Sequence, residues 1–458
     1  MASVFWKYGP ATLCILALFA YTMVFHFRAP FYDHWELVGF YGSMRSGELE
    51  IGDLFALHGN HWHASGYAVQ LGLSEFTNMA HWAESLASIV FAVFGFIALM
   101  RMLTISMDLL SVWNVTAWVF GISAFFFFSF DQSLNWLMGW QVAVFINLAG
   151  TLWTIERLSL APVSVRNTII AAMTCAIAIY AFGTGWALIP IGFALLLVRG
   201  ATRSESGQVA LVIWIALTAG LLWHFYLALN DSAASYSVEV MPDLSAWQSW
   251  VGLLEYTGHF LASPLVRFAR DSGVLATVLG SGVLIWAFFK LLSVDRRQAW
   301  QASLPFLALA AYAIGSGMLT ALGRWASFGS DQAFVPRYIS FGNFFWIAVF
   351  ALAIFAIAKS SHRTHKRTFA FLGLFLVMKI GNQPSVIWGH VRLSNNIAQA
   401  AEQLVASYPN TQPEDYSALH ASFQNIDPHL EILYQYRVSL FADLPEAEAV
   451  ASPSEVAP

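Results

Sequence analysis

Long apolar runs that carry almost no charge are the feature that most constrains what this chain can fold into. A helix needs roughly 20 predominantly apolar residues to cross the hydrocarbon core of a bilayer. Eleven runs approach or reach this length, at about 10–28, 86–103, 112–130, 142–158, 167–183, 186–199, 208–229, 273–292, 302–322, 338–358 and 369–389. We therefore expect an all-α polytopic membrane protein with about 11 transmembrane helices.

Composition agrees with this expectation and excludes other classes. Hydrophobic residues make up 58% of the 458 residues and charged residues only 11%, against about 25% charged residues in soluble domains. A soluble fold of this composition would lack the polar groups to cover its surface. The small net charge of -5 argues against nucleic acid as a partner. Cys14 and Cys175 both lie in apolar runs, which excludes a disulfide framework and leaves the redox compartment open.

Basic residues predict the orientation, because cytoplasmic loops are enriched in Lys and Arg. The first run ends in His26-Phe27-Arg28-Ala29-Pro30-Phe31-Tyr32 and not in a small-residue cleavage site, so we expect a span and not a cleaved signal peptide. We predict a multi-pass protein of the cell inner (plasma) membrane, with a cytoplasmic N-terminus and an extracytoplasmic C-terminus. The basic residues on the predicted inner face are Lys7, Arg101, Arg157, Arg166, Arg199, Arg203, Lys290, Arg296, Arg297, Lys359, Arg363, Lys366 and Arg367.

The chain divides into a membrane domain and a small tail. Residues 1–390 contain the predicted spans, together with a long first outer loop at 29–85 and a second outer segment at 230–272. Apolar residues recur at helical spacing in the second segment and predict a helix lying on the membrane surface. Residues 391–445 predict a small extracytoplasmic helical tail, and 446–458 a disordered end. We find no internal repeat, which counts against transporter folds built from duplicated halves.

The first outer loop carries an unusual density of acidic, imidazole and indole side chains. Asp33 lies about four residues beyond the predicted hydrocarbon edge, where a carboxylate reaches both lipid headgroups and water. The simplest interpretation is a solvated loop with interfacial aromatic residues, and the alternative is a substrate site. A bound divalent metal is a further alternative, although the spacing fits no standard zinc signature. Its candidate ligands are Asp33, Glu36, His58, His61 and His63.

Other polar and aromatic residues allow two interpretations as well. The indoles of the loop would stack on sugar faces or anchor the loop at the membrane surface, and they are Trp35, Trp62 and Trp82. Three polar residues around the next outer turn would line the same cavity or cap helices at the interface, and they are Asp131, Asn135 and Gln141.

Several short motifs follow one another along the chain, and they are Tyr32-Asp33-His34-Trp35, His58-Gly59-Asn60-His61-Trp62, Phe182-Gly183-Thr184-Gly185-Trp186, Gly323-Arg324, Pro336-Arg337-Tyr338 and Tyr436-Arg437-Val438-Ser439-Leu440-Phe441. Their order resembles that of the GT-C membrane glycosyltransferases, which use polyprenyl-phosphate sugars. In that family an Asp follows a short first helix and a long outer loop comes next. A His-containing segment, a small-residue break in a middle span, two basic motifs late in the chain and a similar C-terminal ending follow. The His segment keeps both histidines but lacks the Glu and Arg of the family pattern.

The resemblance implies transfer of a sugar from a polyprenyl-phosphate donor to a glycan, lipid or protein acceptor on the extracytoplasmic side. Such a displacement needs a base for the acceptor hydroxyl, for which Asp33 is the candidate by position and by resemblance. The leaving phosphate needs positive charge, for which the candidates are Arg324, Arg337 and Lys379. The candidate substrate-binding residues are Trp35, Glu36, His58, His61 and Tyr338. No cofactor is firmly implied.

Each basic candidate also has a simpler interpretation. Arg324 would be a surface arginine near Asp331, Arg337 an ordinary interface anchor, and Lys379 a side chain that snorkels to the outer interface. At the level of function, the alternatives are a flippase for lipid-linked glycans and a polysaccharide ligase or polymerase. A flippase predicts charges deep within several spans, and a ligase predicts a late outer loop rich in Arg and His.

Overall fold

The computed structural model describes residues 2–231, 241–267, 269–360, 362–412, 416–420 and 426–443. The predicted disordered end at 446–458 and part of the predicted segment at 230–272 lie outside these residues.

The described part of the chain is almost entirely helical, with one short hairpin formed by β1 (Leu57–His58) and β2 (His61–Trp62). The helices are α1 Ala2–Phe25, α2 His34–Ser46, α3 Ala64–Thr77, α4 His81–Leu110, α5 Thr116–Phe127, α6 Ser133–Leu137, α7 Val142–Ser159, α8 Val165–Ala181, α9 Leu188–Val198, α10 Glu205–Asp231, α11 Trp247–Val266, α12 Gly273–Leu292, α13 Arg296–Phe328, α14 Ile339–Ala358, α15 His362–Ser407 and α16 Asp427–Tyr436. The predicted all-α class is confirmed.

Eight helical segments among the described residues are long and apolar enough to cross a membrane. They correspond to predicted runs, and the three remaining runs form α7 and the shorter apolar helices α8 and α9. The chain is therefore a polytopic α-helical membrane protein. The number of 11 spans and the sidedness of the termini remain predictions.

Helix α14 is the centre of the bundle. Its sequence is almost entirely apolar on every face, which suits a helix surrounded by protein or by lipid. Almost all of its residues are buried, and it packs against α5, α11, α12 and α13. Helix α10 is the opposite case, since most of its apolar side chains are exposed, as expected for a helix in contact with lipid.

A break between α8 and α9 brings backbone to one end of the bundle. Helix α8 ends at Ala181, and Asn147 of α7 donates hydrogen bonds to the carbonyl oxygens of Ala178 (2.8 Å) and Phe182 (3.2 Å). The same two carbonyl groups also accept from the backbone N–H groups of Phe182 and Gly185, so the Asn147 amide adds a side-chain link between α7 and the break. Gly185 is required for this packing, because a Cβ atom there would lie 2.7 Å from the backbone of Ile179.

The segment between α1 and α4 forms a second hydrophobic core with the C-terminal tail. The core joins residues of α2, among them Trp35 and Leu37, to Leu430 and Leu433 of α16. The Tyr32 N–H also donates to the carbonyl oxygen of Leu419 at 3.0 Å. The tail therefore packs directly on the segment that carries Asp33. Helix α15 continues without a break through the predicted domain boundary at 390/391.

Helix α11 occupies the segment where we predicted a helix on the membrane surface. Its second half is buried against α12, α13 and α14. Trp247, Trp250 and Leu254 on its first half are exposed. An interfacial location of this first half remains a prediction.

Candidate functional site

Asp33 lies at the residue before α2 and does not cap that helix with its side chain. Its carboxylate instead faces the imidazole of His58 on β1, with 3.7 Å between Asp33 Oδ2 and His58 Nε2. The other ring nitrogen of His58 lies 2.9 Å from Glu36 Oε2. His58 therefore bridges two carboxylates, and we call Asp33, Glu36 and His58 the acid–histidine cluster. Tyr67 donates a longer hydrogen bond of 3.5 Å to Glu36 Oε2.

A cation from far along the chain completes this cluster. Arg337 lies in the turn before α14, and its Nη1 atom is 3.9 Å from Asp33 Oδ2. Asn135 positions this turn, since its side-chain amide donates to the carbonyl oxygen of Arg337 at 3.1 Å and to Ser340 Oγ at 2.8 Å. The structure thus brings together the predicted acid and one of the three predicted cations.

The electrostatics of the cluster favour its charged forms. Burial raises the pKa of Asp33, but the hydrogen bond and charge of His58 and the charge of Arg337 outweigh this and bring it to about 2. Burial lowers the pKa of His58, but its bonds to Asp33 and Glu36 outweigh this and raise it to about 9. At neutral pH the cluster therefore contains an ionised carboxylate beside an imidazolium.

The neighbouring histidines of the hairpin are neutral by contrast. Burial, together with the positive charges of His58, Arg324 and Arg337, lowers the pKa of His61 to about 3. Burial also holds the pKa of His63 well below its usual value, and its ring stacks on Trp140 with centroids 4.1 Å apart. Neutral imidazoles can donate and accept hydrogen bonds without attracting a second anion.

A cavity of about 460 Å³ lies beside the acid–histidine cluster. Two wall residues adjoin the cluster. The ring of His61 is 5.6 Å from that of His58, and Tyr338 follows Arg337 in sequence. The volume falls in the range of small-molecule sites. The lining residues are Asn60, His61, Phe182, Gly183, Thr184, Trp186, Leu222, Phe225, Leu319, Thr320, Gly323, Arg324 and Tyr338.

Three of the predicted motifs meet in this wall. The backbone break contributes Gly183 and Thr184, the end of α13 contributes Arg324, and the hairpin contributes His61. Gly183 packs closely on the hairpin, because a Cβ atom there would lie 3.1 Å from that of His61. Asp33 itself is not among the lining residues, and it is linked to the cavity wall through His58, whose ring neighbours that of His61.

Two predicted site residues lie elsewhere. Lys379 is fully buried and pairs with Asp131 at 2.5 Å, so it does not snorkel and does not line the cavity. Trp35 is also fully buried, within the core shared with the tail, and offers no ring face to the cavity. Asp331, which the simpler interpretation of Arg324 placed near that arginine, pairs with Arg270 at 3.2 Å.

Sequence reasoning missed two contributors to this region. His420 of the tail lies with its ring 5.3 Å from that of Tyr32, close enough to Asp33 for an electrostatic interaction. No motif marks it. Tyr312 of α13 donates to Asn147 at 2.6 Å and lies 3.1 Å from the Thr184 hydroxyl, which fixes one wall of the cavity. The sequence signal for this network is Asn147, a polar residue within the apolar run 142–158.

Comparison with known proteins gives little further information. No family model and no curated protein matches the chain. A similar solved structure is the crystal structure of ArnT from Cupriavidus metallidurans bound to undecaprenyl phosphate. It matches with a TM-score of 0.42 and 14% sequence identity, over 95% of this chain and 77% of that chain. The functional argument therefore depends on the residues of the site.

Proposed function

We propose that this protein is a membrane glycosyltransferase that moves one sugar from a polyprenyl-phosphate donor to an acceptor hydroxyl on the extracytoplasmic side. The observation that carries the proposal is the 3.9 Å approach of Arg337 to Asp33, beside a cavity whose wall contains Arg324. Sugar transfer from a phosphate requires an acid and positive charge, and here an acid paired with one cation lies beside a cavity that a second cation lines. The acceptor is a glycan, a lipid or a protein.

Asp33 acts as the general base. The acceptor oxygen forms a bond to the anomeric carbon while the bond from that carbon to the phosphate oxygen breaks. The bonding electrons leave with the phosphate, and the acceptor proton passes to the Asp33 carboxylate. A carboxylate is a sufficient base here, because the hydroxyl becomes strongly acidic as its oxygen bonds to carbon.

Arg324 and Arg337 stabilise the leaving phosphate. Arg324 lies in the cavity wall, and Arg337 lies one residue before the wall residue Tyr338. Fixed positive charge at a site shielded from water stabilises a developing phosphate more than it would in water. Lys379 is omitted from this role, because Asp131 and two further side chains already occupy its ammonium group.

The remaining wall suits the other parts of the donor. His61 and Thr184 offer hydrogen bonds to sugar hydroxyls, and Leu222, Phe225 and Leu319 form an apolar side suited to the prenyl chain. Glu36 acts indirectly, since it holds His58 at 2.9 Å and His58 faces Asp33.

The proposal is tested with purified protein in lipid nanodiscs, a panel of synthetic prenyl-phosphate sugars and a panel of glycan, lipid and peptide acceptors, with loss of donor read by mass spectrometry. We expect consumption of at least one donor. Arg324→Gln or Arg337→Gln should weaken donor binding by roughly 10- to 100-fold, which is the effect of losing a charged hydrogen bond. Arg296→Gln is the matched control, because Arg296 is exposed at the opposite end of α13.

Two results would overturn the proposal. One is that no donor in the panel is consumed. The other is movement of labelled lipid across a vesicle membrane without covalent change, which would identify a flippase.

A further inference from the structure

A second cluster of ligating side chains lies behind the acid–histidine cluster. His34 is the first residue of α2, and His81 and Glu84 lie in the first turn of α4. His34 Nε2 is 3.0 Å from Glu84 Oε2, and His81 Nδ1 is 3.5 Å from the same oxygen. One ligand atom from each residue lies within 4.8 Å of the other two.

The cluster is sealed from solvent and incompletely paired. The three side chains are only 2–5% exposed. Glu84 Oε2 contacts His34 Nε2 at 3.0 Å, whereas His81 Nδ1 is buried without a hydrogen-bond partner and faces the same oxygen at 3.5 Å. Burying a polar atom without a partner is costly, so a buried imidazole nitrogen directed at a carboxylate oxygen suits the binding of a cation between them.

The surroundings orient the ligands as metal sites require. His81 Nε2 lies 2.8 Å from the hydroxyl of Ser439 in the tail. When Nε2 carries the proton and donates it to Ser439, Nδ1 keeps a lone pair directed towards Glu84. A histidine ligand whose second nitrogen is held in this way is the common arrangement in metal proteins.

Gly139 forms one wall of the cluster and leaves no room for a side chain. A Cβ atom at this position would lie 2.0 Å from Glu84 Oε2. The backbone of residue 139 therefore approaches the carboxylate directly, and the shape of the wall is fixed by main chain.

We propose that His34, His81 and Glu84 bind a transition-metal ion of the Zn²⁺ class, which joins the start of α2 to α4 and, through Ser439, to the tail. Two imidazoles and one carboxylate suit zinc and its neighbours, whereas Ca²⁺ and Mg²⁺ prefer oxygen ligands. The ion holds the residue that follows Asp33, so it stabilises the position of the proposed base without touching substrate. Coordination through His34 Nε2 would replace the direct contact of this nitrogen with Glu84.

This site is independent of the proposed sugar transfer, and its test needs no donor. Purified protein in nanodiscs is analysed for metal by mass spectrometry, stripped with a chelator and titrated with Zn²⁺ alone. We expect about one ion per chain, a lower melting temperature after stripping, and recovery on adding Zn²⁺.

Variants locate the site. His34→Gln, His81→Gln and Glu84→Gln should each lose the ion, while Ser439→Ala, which leaves all three ligands in place, should weaken Zn²⁺ binding about 10- to 100-fold. His26→Gln is the matched control, since His26 bonds to the carbonyl oxygen of Met23 and should keep the ion.

Failure is recognisable even if the ligand variants do not fold. Metal-free wild-type protein whose melting temperature does not respond to Zn²⁺ would refute the proposal. A bound ion that survives His81→Gln would refute it as well, because the ion would then lie elsewhere.

Discussion

Lys379 is a predicted phosphate ligand that lies away from the cavity and pairs with Asp131 inside the bundle. Its ammonium group donates to Asp131 Oδ2 at 2.5 Å, to Asn343 Oδ1 at 2.8 Å and to Ser129 Oγ at 3.2 Å. These three bonds use all three of its donors. Lys379 and Asp131 are 0% and 1% exposed. We therefore predict that Lys379 contributes to stability and makes no direct contact with the donor.

The magnitude follows from the burial of the pair. Lys379→Met leaves the Asp131 carboxylate buried without its counter-ion, and breaking a buried pair in this way costs about 3–5 kcal/mol. Removing both charges in Lys379→Met/Asp131→Leu should recover most of that loss, because no unpaired charge remains buried. The double-mutant cycle should thus give a large coupling energy, as expected for residues in direct contact.

The assay measures the free energy of reversible unfolding in a lipid-mimetic environment. The affinity of the folded protein for the donor is then measured on the same variants. Lys290→Met is the matched control, since Lys290 lies at the end of α12 with partial exposure, and its effect should be within about 0.5 kcal/mol. If Lys379→Met is as stable as Lys290→Met but binds donor more weakly, the reasoning is refuted and Lys379 is a phosphate ligand.

Two further predictions concern the cavity wall and the acid–histidine cluster. Gly185→Ala should destabilise the bundle and reduce donor binding. Gly282→Ala, where a Cβ atom meets nothing within 4 Å, should leave donor binding unchanged and should not destabilise the bundle; equal effects of the two substitutions would contradict the packing argument. The pKa of His58 is raised from 6.5 to about 9, so its stabilisation is complete below pH 6.5 and is lost as the pH rises through about 9. The loss is on the order of 3 kcal/mol, at 1.36 kcal/mol for each pKa unit. It should appear in pH-dependent unfolding of the wild type and be absent from His58→Gln, and identical slopes would contradict bonding of His58 to Asp33 and Glu36.

The sequence could predict the spans because their signal is local. The apolar residues of each run are enough to predict a helix that is buried or faces lipid, and each run overlaps a helix of the structure. The end of α15, the helix that contains the last predicted span, is harder to predict. Hydropathy drops before residue 390, yet Leu393, Ile397 and Leu404 keep the helical period, and α15 continues to Ser407. The periodicity was the better guide, because a helix that leaves the membrane changes its polarity but not its repeat.

Long-range pairing could be predicted only where a motif existed. The proximity of Arg337 to Asp33 was expected from the order of short motifs. The pairing of Lys379 with Asp131 was not, because nothing local in either run specifies the other. The contact of His81 with Ser439 joins α4 to the tail and likewise has no local signature. Such contacts are set by how helices pack, which a single sequence does not encode in its periodicity.

Donor binding and donor turnover by Asp33→Asn, measured on one preparation, test the central claim most directly. The variant removes the carboxylate beside Arg337, so the phosphate of the donor should bind with wild-type affinity or more tightly. Turnover should fall by at least about 100-fold, which is the contribution expected of a general base. Glu48→Gln, an exposed acid in the same segment, should change neither quantity. Wild-type turnover by Asp33→Asn would contradict the account.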